Sequence, residues 1–439
     1  MNVLVVGSGG REHALVWAIQ RSKRASRVYC APGNGGIARE AIAVPIGVDR
    51  LEELAAFARE EAIDLTVVGP ELPLTLGIVD HFEKQGLRIV GPNAAAARLE
   101  GSKVFAKAFM QRHGIPTSSY LQTDSLEEAL QQLRRNRFGF PLVIKADGLA
   151  AGKGVVIAWN AEQAESTIRQ MLQLRALGDA GRTIILEQFL AGEEVSFLTF
   201  ADGVHALPMV PSQDYKRVFD EDRGPNTGGM GAYSADWILN PQTHREVMER
   251  IVMPTLRGMA AEGMPYRGIL YFGLMLTSQG VYVLEYNARL GDPETQPVLF
   301  RLQSDFLDIC DAILQQRLDD VELRWDPKCS VCVVLASGGY PGEFQTGFEI
   351  SGATQVESQP DLKFFHAGTE LRNGRLLTAG GRVLGVTARA ASLQAAIQQA
   401  YYAINKIRFE RMHFRRDIGW NGLRKERIAA IPGEHTLQA

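Results

Sequence analysis

The chain is short of cysteine, of unbalanced charge and of long apolar runs. Four cysteines in 439 residues, Cys30, Cys310, Cys329 and Cys332, are too few for a disulfide scaffold. They fit a reducing compartment. Cys329-x-x-Cys332 lies in the run CSVCVVLAS with no second Cys/His pair nearby, so it reads as buried strand cysteine rather than a zinc or redox half-site. No uncharged apolar stretch reaches the ~18 residues of a membrane span. The net charge of -3 excludes a general nucleic-acid or anionic-membrane binder. The start, MNVLVVGSGG, has no basic n-region and runs straight into a strand, so no signal peptide is expected. No internal repeat or low-complexity tract stands out. These absences predict a cytoplasmic protein that works on small molecules, with no nucleic-acid or membrane partner.

What remains is 46% hydrophobic residues over 439 positions, enough for about three domains. The most informative stretch is Leu142 to Ile157, LVIKADGLAAGKGVVI. Two β-rich runs flank a glycine-rich turn holding Lys145, Asp147, Gly148, Gly152, Lys153 and Gly154. Glycines let backbone N–H groups approach phosphate oxygens. Lys145 adds a fixed cation at a strand end, and Lys153 a mobile one. The P-loop pattern GxxxxGK(S/T) fails, because Gly154 follows Lys153. The competing reading is a plain surface hairpin with two solvated lysines.

At the N-terminus, NVLVV followed by GSGGREH and a helical pattern predicts strand, glycine turn and helix, the opening of a doubly wound α/β unit. The turn departs from GxGxxG, which weakens a dinucleotide reading and leaves a phosphate at a helix N-terminus. Further alternation predicts strands at 28–30, 65–68 and 87–90, with a helix near 51–62. Ligands in such sheets lie beyond the carboxyl ends of the strands, which lines up Gly9, Gly10, Arg11, the 33–36 turn and Glu71.

From Gly101, a helix carrying Lys103 and Lys107 leads into the hairpin. Glu187 to Glu194, EQFLAGEE, bridges two β-rich stretches and suits an adenine slot. Residues 211–233 are polar, glycine-rich and too long for an ordinary connection, which predicts a functional loop. Glu285 and Asn287, two apart on a strand, point to one face. Two oxygen ligands before the cationic Arg289 form a site for a hard cation such as Mg²⁺ bridging phosphates. Asp292-Pro293-Glu294-Thr295 is expected to cap a helix. After Asp326 the pattern changes to antiparallel strands and one helix over 393–407, with a polar tail from Arg424.

Taken in order, VGSGGREHAL, GSKVFAKAFM, IKADGLAAGKGVV, PSQDYKRV, GPNTGGMGAYS, LEYNARLGDPETQ, GGYPGEF, FFHAGT, GGRVLGVTA and HFRRDIG resemble the ATP-grasp superfamily and, within it, the phosphoribosylamine–glycine ligase family of purine biosynthesis. The resemblance runs from the first strand to residue 419. It implies a multidomain α/β and α+β protein: an N-terminal doubly wound α/β domain over 1–100, an ATP-grasp core over 101–325 with a lid at about 123–192, and a C-terminal α+β domain over 326–423. A polar tail would fill 424–439.

The resemblance also implies a reaction: glycine, 5-phosphoribosylamine and ATP give glycinamide ribonucleotide, ADP and phosphate through glycyl phosphate. By resemblance, ATP is held by Lys103, Lys107, Lys145, Gly148, Gly152, Lys153 and Gly154. Glu187, Phe189 and Leu190 border adenine, and Glu194 meets the ribose. Glu285 and Asn287 hold Mg²⁺ or Mn²⁺, while Arg289, Lys145 and Asp214 are catalytic. Gly9, Gly10, Arg11, Glu71, Asp214, Lys216, Gly229, Arg289 and Asp292 face glycine and phosphoribosylamine. Arg415, Arg416 and Asp417 are a phosphate contact or an ion-pair cluster.

One departure concerns the strand before Glu285. Gly273 stands where many ATP-grasp enzymes carry a third acidic metal ligand, so a second metal is held loosely or is absent. A monomer is expected, with transient contact to the enzyme that supplies the short-lived phosphoribosylamine. The alternatives are another carboxylate–amine ligase of purine metabolism, a nicotinamide oxidoreductase and a non-catalytic ATP binder.

Overall fold

A computed structural model describes residues 1–148, 154–176, 178–353 and 359–429. Gly152 and Lys153, at the expected lid tip, lie outside the described residues.

The N-terminal unit is a five-stranded parallel sheet in the order Ile42–Ala43, Arg27–Pro32, Asn2–Gly7, Leu65–Val68, Ile89–Val90. Its central strand is apolar on both faces because both are covered. Val3 and Val5 pack with Leu15 and Ile19 of helix Gly10–Gln20, whereas Leu4 and Val6 face Leu54 and Ala58 of helix Leu51–Glu60.

The expected lid is a four-stranded antiparallel sheet ordered Tyr120–Thr123, Ile184–Gln188, Leu142–Ala146, Val155–Ala158. It has its own small core around Ile144, Leu186 and Ile168.

The largest sheet crosses what the sequence reads as a boundary near 326. Its order is Gly280–Asn287, Arg267–Thr277, Glu193–Asp202, Ser212–Asp214, Gly231–Ser234, Cys329–Ser337, Arg382–Ala390, Leu362–His366. Gly231–Ser234 pairs directly with Cys329–Ser337, so the C-terminal strands continue the sheet that carries Glu285.

Two expectations need correction. Residues 211–233 are not one irregular loop. Their ends are strands in the middle of this sheet, and a short hairpin, Arg217–Phe219 with Arg223–Asn226, projects between them. These strands are too short for a period to emerge, and two of their buried polar groups pair internally: Tyr233 donates to Gln213, and Ser234 Oγ to the Pro211 carbonyl at 2.9 Å. The polar tail does not begin at Arg424, because helix Trp420–Ala429 runs through that point. Lys425 pairs with Glu193 at 2.6 Å, and Glu426 accepts from the Leu393 N–H at 2.6 Å. Arg415 is the buried centre of an ion-pair cluster with Asp222 and Asp417, both within 2.8 Å.

One irregularity decides where the chemistry can be. Gly273 pairs with Glu285 but Leu274 pairs with Val283, so Leu284 is an extra residue. Such a bulge reverses the alternation of side chains. Val281 and Val283 point into the core before it, and Tyr286 does so after it. Without the bulge, Glu285 and Asn287 would share the core face of Val281 and Val283. The extra residue thus spares the chain from burying two polar side chains, each costing several kcal/mol when unpaired.

Candidate active site

Lys145 sits next to the end of its lid strand, where it pairs with Ile185 while its neighbour Val143 pairs with Glu187. Lys145 and Glu187 are thus diagonal neighbours on one face. Lys145 Nζ lies 2.7 Å from Glu187 Oε2 and donates to the Leu284 carbonyl at 3.1 Å. A lid lysine thereby touches the residue just before Glu285. Glu187 also pairs with Lys107 and accepts from Ser118. Lys107 Nζ further donates to Thr117 Oγ1 at 2.6 Å and Ser118 Oγ at 3.1 Å. Burial lowers the Lys107 ammonium to about 8 against the pull of Glu187. Burial raises the Glu187 carboxyl, but Lys145 and Lys107 outweigh it and hold the group below its ordinary value.

The two helix lysines therefore differ. All three protons of Lys107 have partners, and the residue is buried. Lys103 is half-buried and donates to the Gly148 carbonyl at 3.3 Å. Lys103 is thus the more exposed of the two. Asp147 fastens the root of the lid hairpin to this helix, its Oδ1 accepting from Val104 N–H at 2.8 Å and Ser102 Oγ at 2.9 Å. Gly154 is buried and accepts from the Ala146 N–H at 2.8 Å. Phe189 and Leu190 are half-buried where the lid sheet ends, the Phe189 ring 6.3 Å from Trp159.

Opposite the lysines, Glu285 and Asn287 are half-buried. Burial raises the Glu285 carboxyl, but Lys216, Lys145, Lys103 and Arg289 together keep it below its ordinary value. An ionised carboxylate and an amide oxygen on one face fit a hard cation completed by phosphate oxygens and water. Gly273 pairs directly with Glu285, and a Cβ there would stand 3.1 Å from Glu285 Cγ. Close packing thus opposes a third carboxylate at that position. Among the described residues no group of three or more His, Cys, Asp or Glu could hold a metal ion.

A second cluster lies on the neighbouring strands. Lys216 Nζ is 2.6 Å from Glu194 and 4.0 Å from Glu285, so the carboxylate expected at the ribose is tied to a lysine. Burial, opposed by Lys216 and reinforced by Glu294, Glu194 and Glu285, lifts the Asp214 carboxyl to about 7. Glu294 is buried and accepts from Ser196 at 3.3 Å.

Arg289 is clamped by two carboxylates of the N-terminal unit, Glu100 at 2.7 Å and Glu71 at 3.3 Å. Glu100 also accepts from the Ala288 N–H at 2.7 Å. Burial raises Glu100 to about 7 even against Arg289. Glu71 shares the same guanidinium, and there Arg289 and Arg11 outweigh burial and lower the carboxyl.

Arg11, expected to face substrate, is buried. It bonds Glu12 at 2.5 Å and the Leu290 carbonyl at 3.1 Å, bracing the glycine turn against the segment after Arg289. Gly9 and Gly10 pack against side chains: a Cβ on Gly9 would lie 3.2 Å from Asp292 Oδ2, and one on Gly10 2.5 Å from Gln296 Nε2. Gly229 has φ +115°, and a Cβ there would collide with Pro293 Cδ, so glycine is required twice over.

Sequence reasoning missed Glu100, Glu294 and Arg382 as site residues. Glu100 is the one acid in the helix AAAARLEG, a signal that could have been read as a buried charge needing a partner. For Glu294 the sequence suggests a helix cap and a part, with Asp292 and Pro293, in ordering the substrate region. Arg382 opens GGRVLGVTA, used only as a likeness.

Lysines from a lid and its supporting helix, facing a Glu–Asn pair on a bulged strand, are the arrangement of an ATP-grasp site. Family models match the whole architecture: the phosphoribosylglycinamide synthetase N domain at 1–100, its ATP-grasp (A) domain at 101–295 and its C domain at 330–421. A phosphoribosylamine–glycine ligase of Vibrio vulnificus (strain CMCP6) is 51% identical over 429 residues, 97% of this chain and 99% of that one. One from Pseudomonas aeruginosa is 50% identical over 430 residues, with 97% and 99% covered. The crystal structure of a phosphoribosylamine–glycine ligase from Thermotoga maritima aligns with a TM-score of 0.82 at 34% identity, covering 95% of this chain and 100% of that one. The chain belongs to the phosphoribosylglycinamide synthetase family.

Because the Glu100 carboxyl is raised from 4.5 to about 7, its ionisation opposes folding. The opposition is absent below pH ~4.5, grows as the pH rises towards ~7 and is complete above that. Glu100→Gln should lose less stability than the parent chain between about pH 5 and about pH 8. Urea denaturation at the two values checks this, and an equal or greater loss contradicts it.

Proposed function

We infer that the chain is an ATP-dependent ligase joining glycine to 5-phosphoribosylamine, giving glycinamide ribonucleotide, ADP and phosphate in purine biosynthesis. The supporting observation is convergence: Lys145 of the lid bonds the Leu284 carbonyl, one residue from Glu285. Cations for a triphosphate and oxygen ligands for its metal therefore share one cleft.

In the first step a glycine carboxylate oxygen attacks the γ-phosphorus, and the β–γ bridging oxygen leaves with ADP. The product is glycyl phosphate. In the second, the amine nitrogen of phosphoribosylamine attacks the acyl carbon, phosphate leaves, and the nitrogen loses a proton. Lys103 and Lys145 bind phosphate oxygens and neutralise charge, the main demand of phosphoryl transfer. A Mg²⁺ or Mn²⁺ ion held by Glu285 and Asn287 would screen the remaining phosphate charge. Arg289, oriented by Glu100 and Glu71, meets the glycine carboxylate and the transferring group. Asp214 and Lys216 face glycine, and the Gly9–Gly10 turn with Glu71 and Asp292 borders phosphoribosylamine. Gly148, Gly152, Lys153 and Gly154 fold over the phosphates, which keeps water from the acyl phosphate. The adenine lies by Glu187, Phe189 and Leu190, with Glu194 near the ribose. The enzyme acts as a cytoplasmic monomer that receives its unstable amine from the preceding enzyme.

ADP release measured with ATP and phosphoribosylamine should require glycine, and release without glycine would overturn the assignment. Glu285→Ala should lower kcat by about 10²–10³-fold while circular dichroism stays unchanged. Undiminished turnover would remove Glu285 from the metal site.

A further inference from the structure

Arg382 opens the strand Arg382–Ala390, in the C-terminal part of the large sheet. Its guanidinium does not serve its own domain. Nη1 donates to the carbonyls of Asp292 at 2.6 Å and Gly228 at 2.8 Å, and more weakly to Gly229 at 3.4 Å. Nη2 donates to Asp292 Oδ2 at 3.0 Å. Two separate segments, the 228–229 turn and the 292–293 turn, are thus pinned by one planar fork. A lysine could not hold all of these acceptors in one plane.

The link continues. Asp292 Oδ1 accepts from Gln296 Nε2 at 2.8 Å. Together Asp292 and Gln296 form the surface against which Gly9 and Gly10 lie too closely for any side chain. The fit is tight at the other end as well, since a Cβ on Gly228 would come within 3.0 Å of Arg382 Cζ. None of the hydrogen bonds of Arg382 among the described residues goes to Lys103, Lys145, Glu285 or Asn287.

We propose that Arg382 is a positioning residue for the ribonucleotide half of the site: through Asp292 and the 228–229 turn it sets the wall facing the N-terminal glycine loop, and it leaves the nucleotide half untouched. This rests on the ligase reading above. It gives the C-terminal domain a role in substrate selection that no direct contact with ATP would reveal.

The test uses the full chain and the stable product, glycinamide ribonucleotide. Its dissociation constant, and that of a non-hydrolysable ATP analogue with Mg²⁺, are measured by calorimetry for the parent, Arg382→Lys and Arg382→Met. Loss of charged hydrogen bonds should weaken the product by about 30-fold in Arg382→Met. Arg382→Lys, which keeps the charge and the fold, should fall between, and the analogue should stay within about twofold throughout. Product affinity unchanged in both variants, or both ligands weakened in parallel, overturns the proposal. A parent chain that binds the analogue but not the product overturns the ligase reading itself, and that failure is visible before any variant is made.

Discussion

A single buried carboxylate between two ammonium groups underlies the site. Glu187, Lys107 and Lys145 are all at least nine-tenths buried, and a charge in such surroundings survives only if paired and hydrogen-bonded. Lys107 comes from the helix after the N-terminal unit, and Lys145 and Glu187 come from adjacent lid strands. Removing the carboxylate would leave two like charges facing each other without water. The triad therefore locks the lid sheet to its supporting helix in one register. It also fixes Lys145 where it donates to the Leu284 carbonyl at 3.1 Å, beside Glu285. The root of the lid hairpin, at Asp147, is itself anchored by two hydrogen bonds to the helix start.

The second constraint is the shared sheet. The strand carrying Glu285 and Asn287 at one edge, and strands of the C-terminal part at the other, belong to one continuous hydrogen-bonded surface. Arg382 reaches the 292 turn because of that continuity. Glu71 and Glu100 reach Arg289 from the opposite side. Residues from all three regions thus bear on one turn, Arg289 to Asp292. A domain that merely flanked the site could not orient it this way.

Much of this was legible in the sequence. The apolar run NVLVV before a glycine turn, the LVIKADG hairpin and the spacing of Glu285 and Asn287 each carry a local period or a turn residue with a physical meaning. What was not legible depends on distant partners. That Lys107 is spent on Glu187, and Lys103 is not, follows from contacts 80 residues apart in sequence. The bulge at Leu284 leaves only a faint trace: in VYVLEYN, strict alternation would put Val281, Val283, Glu285 and Asn287 on one face, an unlikely set for a core. The strands inside 211–233 fail for another reason. Short strands whose buried groups include Gln213 and Ser234 look like loop until their partners, Tyr233 and the Pro211 carbonyl, are known.

The charges of the cleft are also segregated. In the proposed reaction Lys103 and Lys145 face the triphosphate, and Lys107 with Glu187 adds no net charge behind them. Across the cleft, the acids Asp214, Glu194, Glu285 and Glu294 outnumber Lys216, which lies 2.6 Å from Glu194 and 4.0 Å from Glu285. A positive wall and a negative wall in a low-dielectric cleft orient any ligand that carries both signs. Phosphate oxygens are drawn to the lysines, and metal ions and ammonium groups to the acids. Burial, reinforced by the neighbouring acids against the pull of Lys216, raises Asp214 to about 7, so it can hold or release a proton near neutrality. Glycine suits such a field well: its ammonium belongs beside the acids, which keeps that nitrogen protonated and unable to attack the acyl phosphate. In the proposed reaction the amine that reacts therefore comes from the other side, where Arg289 and the N-terminal glycine turn meet.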